Sequence, residues 1–204
     1  MNVLGVVMAG GRNTRYGGLK AFAEVGDSRI IDRVLAVLNA VSDRVVMIAN
    51  DPDAYAPLGL PMRGDAVASG AALAGLLTAL QWSEEGGYDG IVVVACDMPF
   101  VRPDLAQHLI ALAASETADV VVPESGGRRG VEPLCAFYSN RCIAAIERAF
   151  ARDDLRMIGF YDDVRVVTIP VKDISRFGEP NVLFMNVNTQ EELAHARSIA
   201  LEHG

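Results

Sequence analysis

Cysteine is scarce in this chain: 3 among 204 residues, at Cys96, Cys135 and Cys142, with no CxxC pair. Such an odd, unpaired set excludes a disulfide framework or a structural zinc site as the basis of the fold, and it fits a reducing compartment. A surplus of positive charge is also missing. Lys+Arg number 18 against 26 Asp+Glu, a formal net charge of −8, whereas a nucleic-acid groove or an anionic membrane surface requires the opposite balance. Small anions are not excluded, because a few cations and backbone amides suffice to hold a phosphate. Of the 3 histidines, none stands at catalytic or ligand spacing from a Cys, Ser or carboxylate, so His108, His195 and His203 read as solvated. Long hydrophobic runs are absent too: the longest nearly apolar stretch, 70–80, is too short to cross a bilayer. No cationic stretch precedes the first apolar run, so a secretory signal is not expected. These absences together predict a cytoplasmic protein with neither nucleic acid nor membrane as partner.

Hydrophobic residues make up 51% and charged residues 22%, enough apolar material for one sizeable core. The length favours a single domain over 1–204. Apolar runs of strand length alternate with segments of helical period. Residues 3–8 form a continuous apolar run ended by Ala9-Gly10-Gly11, as for a strand buried on both faces. Ile30, Ile31, Val34, Leu35, Val37 and Leu38 follow a helical period, then 44–49 reads as a second strand and 62–64 as a short one. Leu73, Leu76, Leu77 and Leu80 share a helical stripe over 70–82, with Trp82 closing its face. Residues 91–95 and 119–122 are further strands, and Pro103 suits the first turn of the helix between them. The rhythm predicts an α/β fold with a mostly parallel central sheet and helices on both faces. Beyond 122 the rhythm changes: strands over 134–138 and 164–169 flank a helix over 140–152. A last helix spans 189–202, with Thr189 as N-cap and Glu192 completing a capping box.

The informative segment follows the first strand: Met8-Ala9-Gly10-Gly11-Arg12-Asn13-Thr14-Arg15-Tyr16-Gly17-Gly18-Leu19-Lys20. Four glycines let the backbone bring its amides close to a ligand, and Arg12, Arg15 and Lys20 add three cations. Lys20 is expected in an exposed loop. Open α/β sheets bind ligands at the carboxyl ends of their strands, so this loop is placed to cradle a polyphosphate. A solvated connection is the bland alternative. The Walker loop is excluded because Leu19 and Ala21 flank Lys20, and the glycine spacing does not give the G-x-G-x-x-G fingerprint.

Asp97 follows the strand 91–95, again at a carboxyl end. A carboxylate facing a triphosphate needs a divalent cation between them, and Mg²⁺ is the usual solution; a turn or cap aspartate is the competing reading. Asn186 and Asn188 alternate, so both fall on one face of an extended segment, although asparagine is ordinary in turns. Asn50 and Asp65 can read a base edge or a ribose through directed hydrogen bonds, or they can simply form turns. Arg128 and Arg129, in the loop 126–130, suit either an anionic acceptor or a solvated hairpin tip.

The pattern A-G-G-x-x-x-R-[hydrophobic]-G-x-x-K over 9–20 resembles nucleotidylyltransferases of the nucleotide-diphospho-sugar transferase fold. Within that superfamily the chain is most similar to the molybdenum cofactor guanylyltransferase family. The similarity extends to Ile48-Ala49-Asn50, Gly64-Asp65, Ala95-Cys96-Asp97-Met98-Pro99-Phe100, Glu132-Pro133-Leu134-Cys135-Ala136-Phe137-Tyr138 and Asn186-Val187-Asn188-Thr189. It departs at Tyr16, Leu19, Ala71-Ala72 and Ala95, where the family often has Met, Asp, Gly-Pro and Pro. The resemblance implies a Rossmann-like α/β fold and transfer of GMP from GTP to the terminal phosphate of molybdopterin, with release of pyrophosphate and Mg²⁺ as cofactor. It implies Arg15, Lys20 and Asp97 as catalytic residues. Nucleotide contacts fall at Met8, Ala9, Gly10, Gly11, Lys20, Asn50, Asp65 and Asp97, and metal contacts at Asp97 and Asn188, with Asn188 preferred over Asn186. GTP and molybdopterin are the implied substrates, and molybdoenzymes or their chaperones the implied protein partners. Two alternatives stand beside this reading. One is cytidylyl or another nucleotidylyl transfer to molybdopterin or a different phosphorylated acceptor. The other is a non-catalytic nucleotide-binding assembly module, which Leu19 and Ala71-Ala72 keep open.

Overall fold

The computed structural model describes residues 1–9, 20–67, 69–126 and 130–202. The first strand, β1 (Val3–Ala9), is buried from Val3 through Met8, as a run with no polar side chain for either face must be. The chain is next described at a 3-10 turn, Lys20–Phe22, and a small antiparallel ribbon, β2 (Glu24–Val25) and β3 (Ser28–Arg29). Helix α1 (Ile30–Val41) buries Ile30, Ile31, Val34, Val37 and Leu38, the stripe its spacing dictates. Strand β4 (Arg44–Ala49) leads into the short helix α2 (Pro52–Tyr55), where Pro52 takes the first turn and the Asp51 carboxylate accepts the Ala54 N–H. After β5 (Met62–Arg63) come α3 (Ala72–Glu85), β6 (Gly90–Ala95), α4 (Pro103–Glu116) and β7 (Val120–Pro123). The remaining elements are β8 (Cys135–Ser139), α5 (Ile143–Ala151), β9 (Val166–Ile169), α6 (Val171–Ile174), α7 (Pro180–Leu183) and α8 (Gln190–Glu202).

Seven strands form one sheet in the order β5-β4-β1-β6-β8-β7-β9. All run parallel except β8, which is antiparallel to both β6 and β7. Alternate residues of β1 serve two separate cores. Val3 and Val7 face Val34, Leu38, Leu105 and Leu109 of α1 and α4, whereas Leu4, Val6 and Met8 face Leu73, Leu76 and Ile146 of α3 and α5. The mostly parallel sheet with helices on both faces is therefore as the residue pattern implies.

Beyond Val122 the chain turns back. Glu124 and Val131 form an antiparallel bridge, and the Ser125 N–H reaches the Gly130 carbonyl at 3.1 Å, so the segment is a hairpin. Arg128 and Arg129 lie outside the described residues. Strand β8 then slots between β6 and β7. A side chain at Gly90 would strike the Tyr138 carbonyl, so glycine permits this close approach. The region expected as a helix over 140–152 begins with a 3-10 turn, Asn140–Cys142, held by the Ser139 hydroxyl, before α5 starts. At α8 the Glu192 N–H donates to the Thr189 hydroxyl at 3.1 Å, while the Glu192 carboxylate accepts from the Asn188 N–H at 2.6 Å. The reciprocal cap thus reaches one residue further back than the Thr189 box. His108 differs from the solvated expectation: it is half-buried, with Nε2 2.7 Å from the Arg176 guanidinium and its ring against Phe177. Among the described residues no helix is long and apolar enough to cross a membrane.

Candidate functional site

Strand β1 is flanked by β4 on one side and β6 on the other, and all three are parallel. Their carboxyl ends therefore open on one edge of the sheet at the point where the strand order reverses. Such a switch point is where open α/β sheets form a ligand crevice. Adjacent strands lie about 4.8 Å apart, so groups ending β4 and β6 are about 10 Å from one another, the span of a nucleotide. Asn50 follows β4 and Asp97 follows β6, on either side of the β1 terminus. Gly10, Gly11 and Arg15 lie outside the described residues.

Asp97 is half-buried. Its backbone carbonyl accepts the Val187 N–H at 2.9 Å, which docks the segment before α8 against the end of β6. That docking brings the Asn188 side chain to the Asp97 carboxylate as a hydrogen-bond donor, with the Lys20 ammonium and the Glu192 carboxylate close by. Burial pushes the Asp97 carboxyl above the usual carboxylate range. Its own backbone N–H, Asn188 and Lys20 oppose the shift, while Glu192 adds to it. A partly desolvated carboxylate facing another carboxylate is poised to take up positive charge. Asn186 does not join this group, because its amide folds back to the Phe184 carbonyl at 3.0 Å. Lys20 is half-buried at the start of a 3-10 turn and not in an exposed loop.

Asn50 and Asp65 lock together at the end of β4. The Asn50 amide donates to Asp65 Oδ2, and the Asp65 N–H donates to Asn50 Oδ1, each at 2.8 Å. Thr78 of α3 fixes the next residue by accepting the Ala66 N–H at 2.8 Å and donating to the Ala74 carbonyl. Gly75 leaves the floor open: a Cβ there would stand 2.7 Å from Met8 Cε and 3.0 Å from Asp65 Oδ1. The pair is consequently a preset amide and carboxylate edge. Met8 is buried near the end of β1. Its side chain belongs to the core and its carbonyl accepts the Cys96 N–H at 3.0 Å. Ala9, half-buried, pairs with Ala49 of β4 at the lip.

Among the described residues no three His, Cys, Asp or Glu side chains gather as a metal site. What Asp97 and Asn188 offer is one carboxylate and one amide, both hard oxygen donors. That set suits a cation such as Mg²⁺, which keeps waters and takes substrate phosphates, and it is too small to cage Zn²⁺ or Ca²⁺. One neighbour escaped the sequence reading. Tyr55, on α2, is buried with its hydroxyl beside the Cys96 thiol. Burial, with the Asp97 charge beside it, pushes that thiol up to about 12, so Cys96 is no nucleophile. The available signal was an aromatic residue in a proline-opened turn immediately beyond the β4 terminus.

Comparison with known proteins gives a concordant picture. The family model for the MobA-like NTP transferase domain matches residues 5–164. A probable molybdenum cofactor guanylyltransferase from Pelotomaculum thermopropionicum is 37% identical over 200 residues, spanning 98% of this chain and 94% of the relative. A molybdenum cofactor guanylyltransferase from Desulfosudis oleivorans is 34% identical, with 96% and 95% covered. Among solved structures, molybdopterin-guanine dinucleotide biosynthesis protein A from Archaeoglobus fulgidus superposes with a TM-score of 0.77 at 25% identity, over 99% of this chain and 100% of its own.

Proposed function

Because the chain belongs to the MobA-like NTP transferase family, we propose that it is a Mg²⁺-dependent molybdenum cofactor guanylyltransferase. The observation that carries this reading is the meeting of Lys20, Asp97 and Asn188 at the switch point of the sheet. The reaction joins a terminal phosphate oxygen of molybdopterin to the α-phosphorus of GTP. The bond from that phosphorus to the β-phosphate bridging oxygen breaks, and pyrophosphate leaves. An attacking phosphate is already ionised at neutral pH, so the step requires no general base. Such transfers depend chiefly on positioning and charge neutralisation.

Lys20 offsets the negative charge that grows on the departing pyrophosphate, together with Arg15 and the amides of Gly10 and Gly11. Asp97 and Asn188 are the residues that would hold Mg²⁺. When bound, Mg²⁺ screens the phosphate oxygens from the Asp97 carboxylate and neutralises charge on the leaving group. The Asn50–Asp65 edge binds the guanosine moiety, and its mutual lock keeps both groups from rotating as the nucleotide enters. The three cysteines, all buried and unpaired, suit a reducing cytoplasm, where molybdoenzymes or their chaperones would receive the product. A thermal shift series with GTP, CTP, ATP and UTP, each with Mg²⁺, tests the base preference. A ligand that binds only the folded chain stabilises it by RT ln(1 + [L]/Kd). GTP is expected to give the largest rise, about tenfold tighter than CTP, as one lost hydrogen bond in a buried site costs about 1–3 kcal/mol. A larger rise with CTP would assign the chain to cytidylyl transfer.

A further inference from the structure

Tyr55 belongs to none of the segments that carry the family resemblance, yet it touches two parts of the site. Its ring lies against that of Phe22, with centroids 6.1 Å apart and planes 28° from parallel. Phe22 ends the 3-10 turn that Lys20 begins. The Tyr55 hydroxyl lies beside the thiol of Cys96, the residue before Asp97, in the same core cluster, and Tyr55 also lies within electrostatic range of Asp97 itself. Tyr55 is 6% exposed. Phenylalanine would fill the same volume without burying a hydroxyl whose partner is only a sulfur, a weak acceptor. A hydroxyl kept under those conditions points to a use for the link.

We propose that Tyr55 is a positioning residue for nucleotidyl transfer: its ring seats the Lys20–Phe22 turn, its hydroxyl pins the Cys96–Asp97 segment, and the two contacts set the spacing between the Lys20 ammonium and the Asp97 carboxylate. The inference rests on the proposed function, since the spacing matters only if both charges act on one triphosphate. Tyr55 touches neither nucleotide nor metal in this scheme. A 1 Å misplacement of reacting groups costs about 10²-fold in rate. Losing one anchor loosens the spacing without abolishing it, so a fall of roughly tenfold is expected, in kcat and not in KM.

The test uses the full chain as wild type, Tyr55→Phe, Cys96→Ala and the double variant, with pyrophosphate release from GTP, Mg²⁺ and molybdopterin. Each single change should lower kcat roughly tenfold with KM for GTP within about twofold, and the double variant should be no worse than the weaker single. Unchanged kcat in Tyr55→Phe, a rise in KM alone, or additive losses would overturn the proposal. Amide exchange supplies a readout that needs no turnover. The Ala23 N–H is bonded to the Lys20 carbonyl at 2.9 Å, and in Tyr55→Leu its exchange should quicken at least about tenfold while that of Val93 in β6 stays constant. If Val93 also quickens, the fold has loosened as a whole, and Phe22→Leu, which removes the ring from the other side, replaces that variant. Should the wild type release no pyrophosphate, the proposed function fails by itself. The Ala23 exchange then decides on Tyr55, and unchanged protection would end the proposal.

Discussion

Asp97 carries an electrostatic cost until a cation reaches it. Its carboxyl is held above the usual range, mainly by burial, so the folded chain binds that proton more tightly than the unfolded chain does. The corresponding stability is present at pH values below the unfolded carboxylate pKa, and it is lost as pH rises through the folded value. Asp97→Asn removes this loss. Without Mg²⁺, the variant should melt at a higher temperature than the wild type at pH 7, and the gap should close on acidification below the usual carboxylate range. Scanning calorimetry across that window checks the sign. The same variant should need more Mg²⁺ and turn over more slowly, because a neutral amide is a poorer partner for a hard cation. A plain cap aspartate would make the change nearly silent. Lys20→Ala is expected to keep the fold while cutting turnover about 10²–10³-fold, the usual cost of removing a group that stabilises the transition state. Steady-state kinetics with normal turnover would detach Lys20 from the leaving group. Asn186 and Asn188 show how far residues alone could be read. Alternation places both on one face, and only the docking of Val187 on Asp97 separates them, leaving Asn188 at the carboxylate and Asn186 bonded to its own backbone.

Among the elements, α3 presents its glycine where the Asn50–Asp65 edge needs room. Alanine at Gly75 gains about 1 kcal/mol of helix propensity. Its Cβ, however, meets Met8 Cε at 2.7 Å and Asp65 Oδ1 at 3.0 Å. The methionine tip can swing aside, whereas the carboxylate is tied to Asn50. We therefore expect Gly75→Ala to leave the melting temperature within a few degrees and to weaken Mg²⁺·GTP binding by about tenfold, the equivalent of one hydrogen bond. Isothermal titration measures this, and an unchanged Kd would show that Asp65 takes no part in holding the nucleotide. The strands β1, β4 and β6 were legible because burial on both faces leaves apolar runs, and their shared direction already implied the crevice. The loop over 126–130 left a hairpin open as one reading, but the place and direction of β8 in the sheet were not legible. A five-residue apolar strand reads the same in either direction, and the hairpin at Glu124 and Val131 that turns it is set by tertiary pairing. Tyr55 escaped for a related reason: its partners, Phe22 and Cys96, are distant in the chain, and no local spacing records them.

For the whole molecule, a chain of net charge −8 is proposed to bind a triphosphate and a phosphorylated acceptor, which requires cations concentrated at one edge of the sheet. Lys20 stands at that edge beside Asp97, and Arg12 and Arg15 belong to the segment leaving the β1 terminus. The central claim, guanylyl transfer to molybdopterin, is tested most directly by product analysis. Purified molybdopterin and the full chain are mixed with Mg²⁺ and either GTP or CTP, and released pyrophosphate is measured against the dinucleotide formed. The account predicts pyrophosphate and molybdopterin guanine dinucleotide in equal amounts with GTP, and far less of either product with CTP. Pyrophosphate and dinucleotide formed faster from CTP, or no turnover with either nucleotide while GTP still binds, would contradict it.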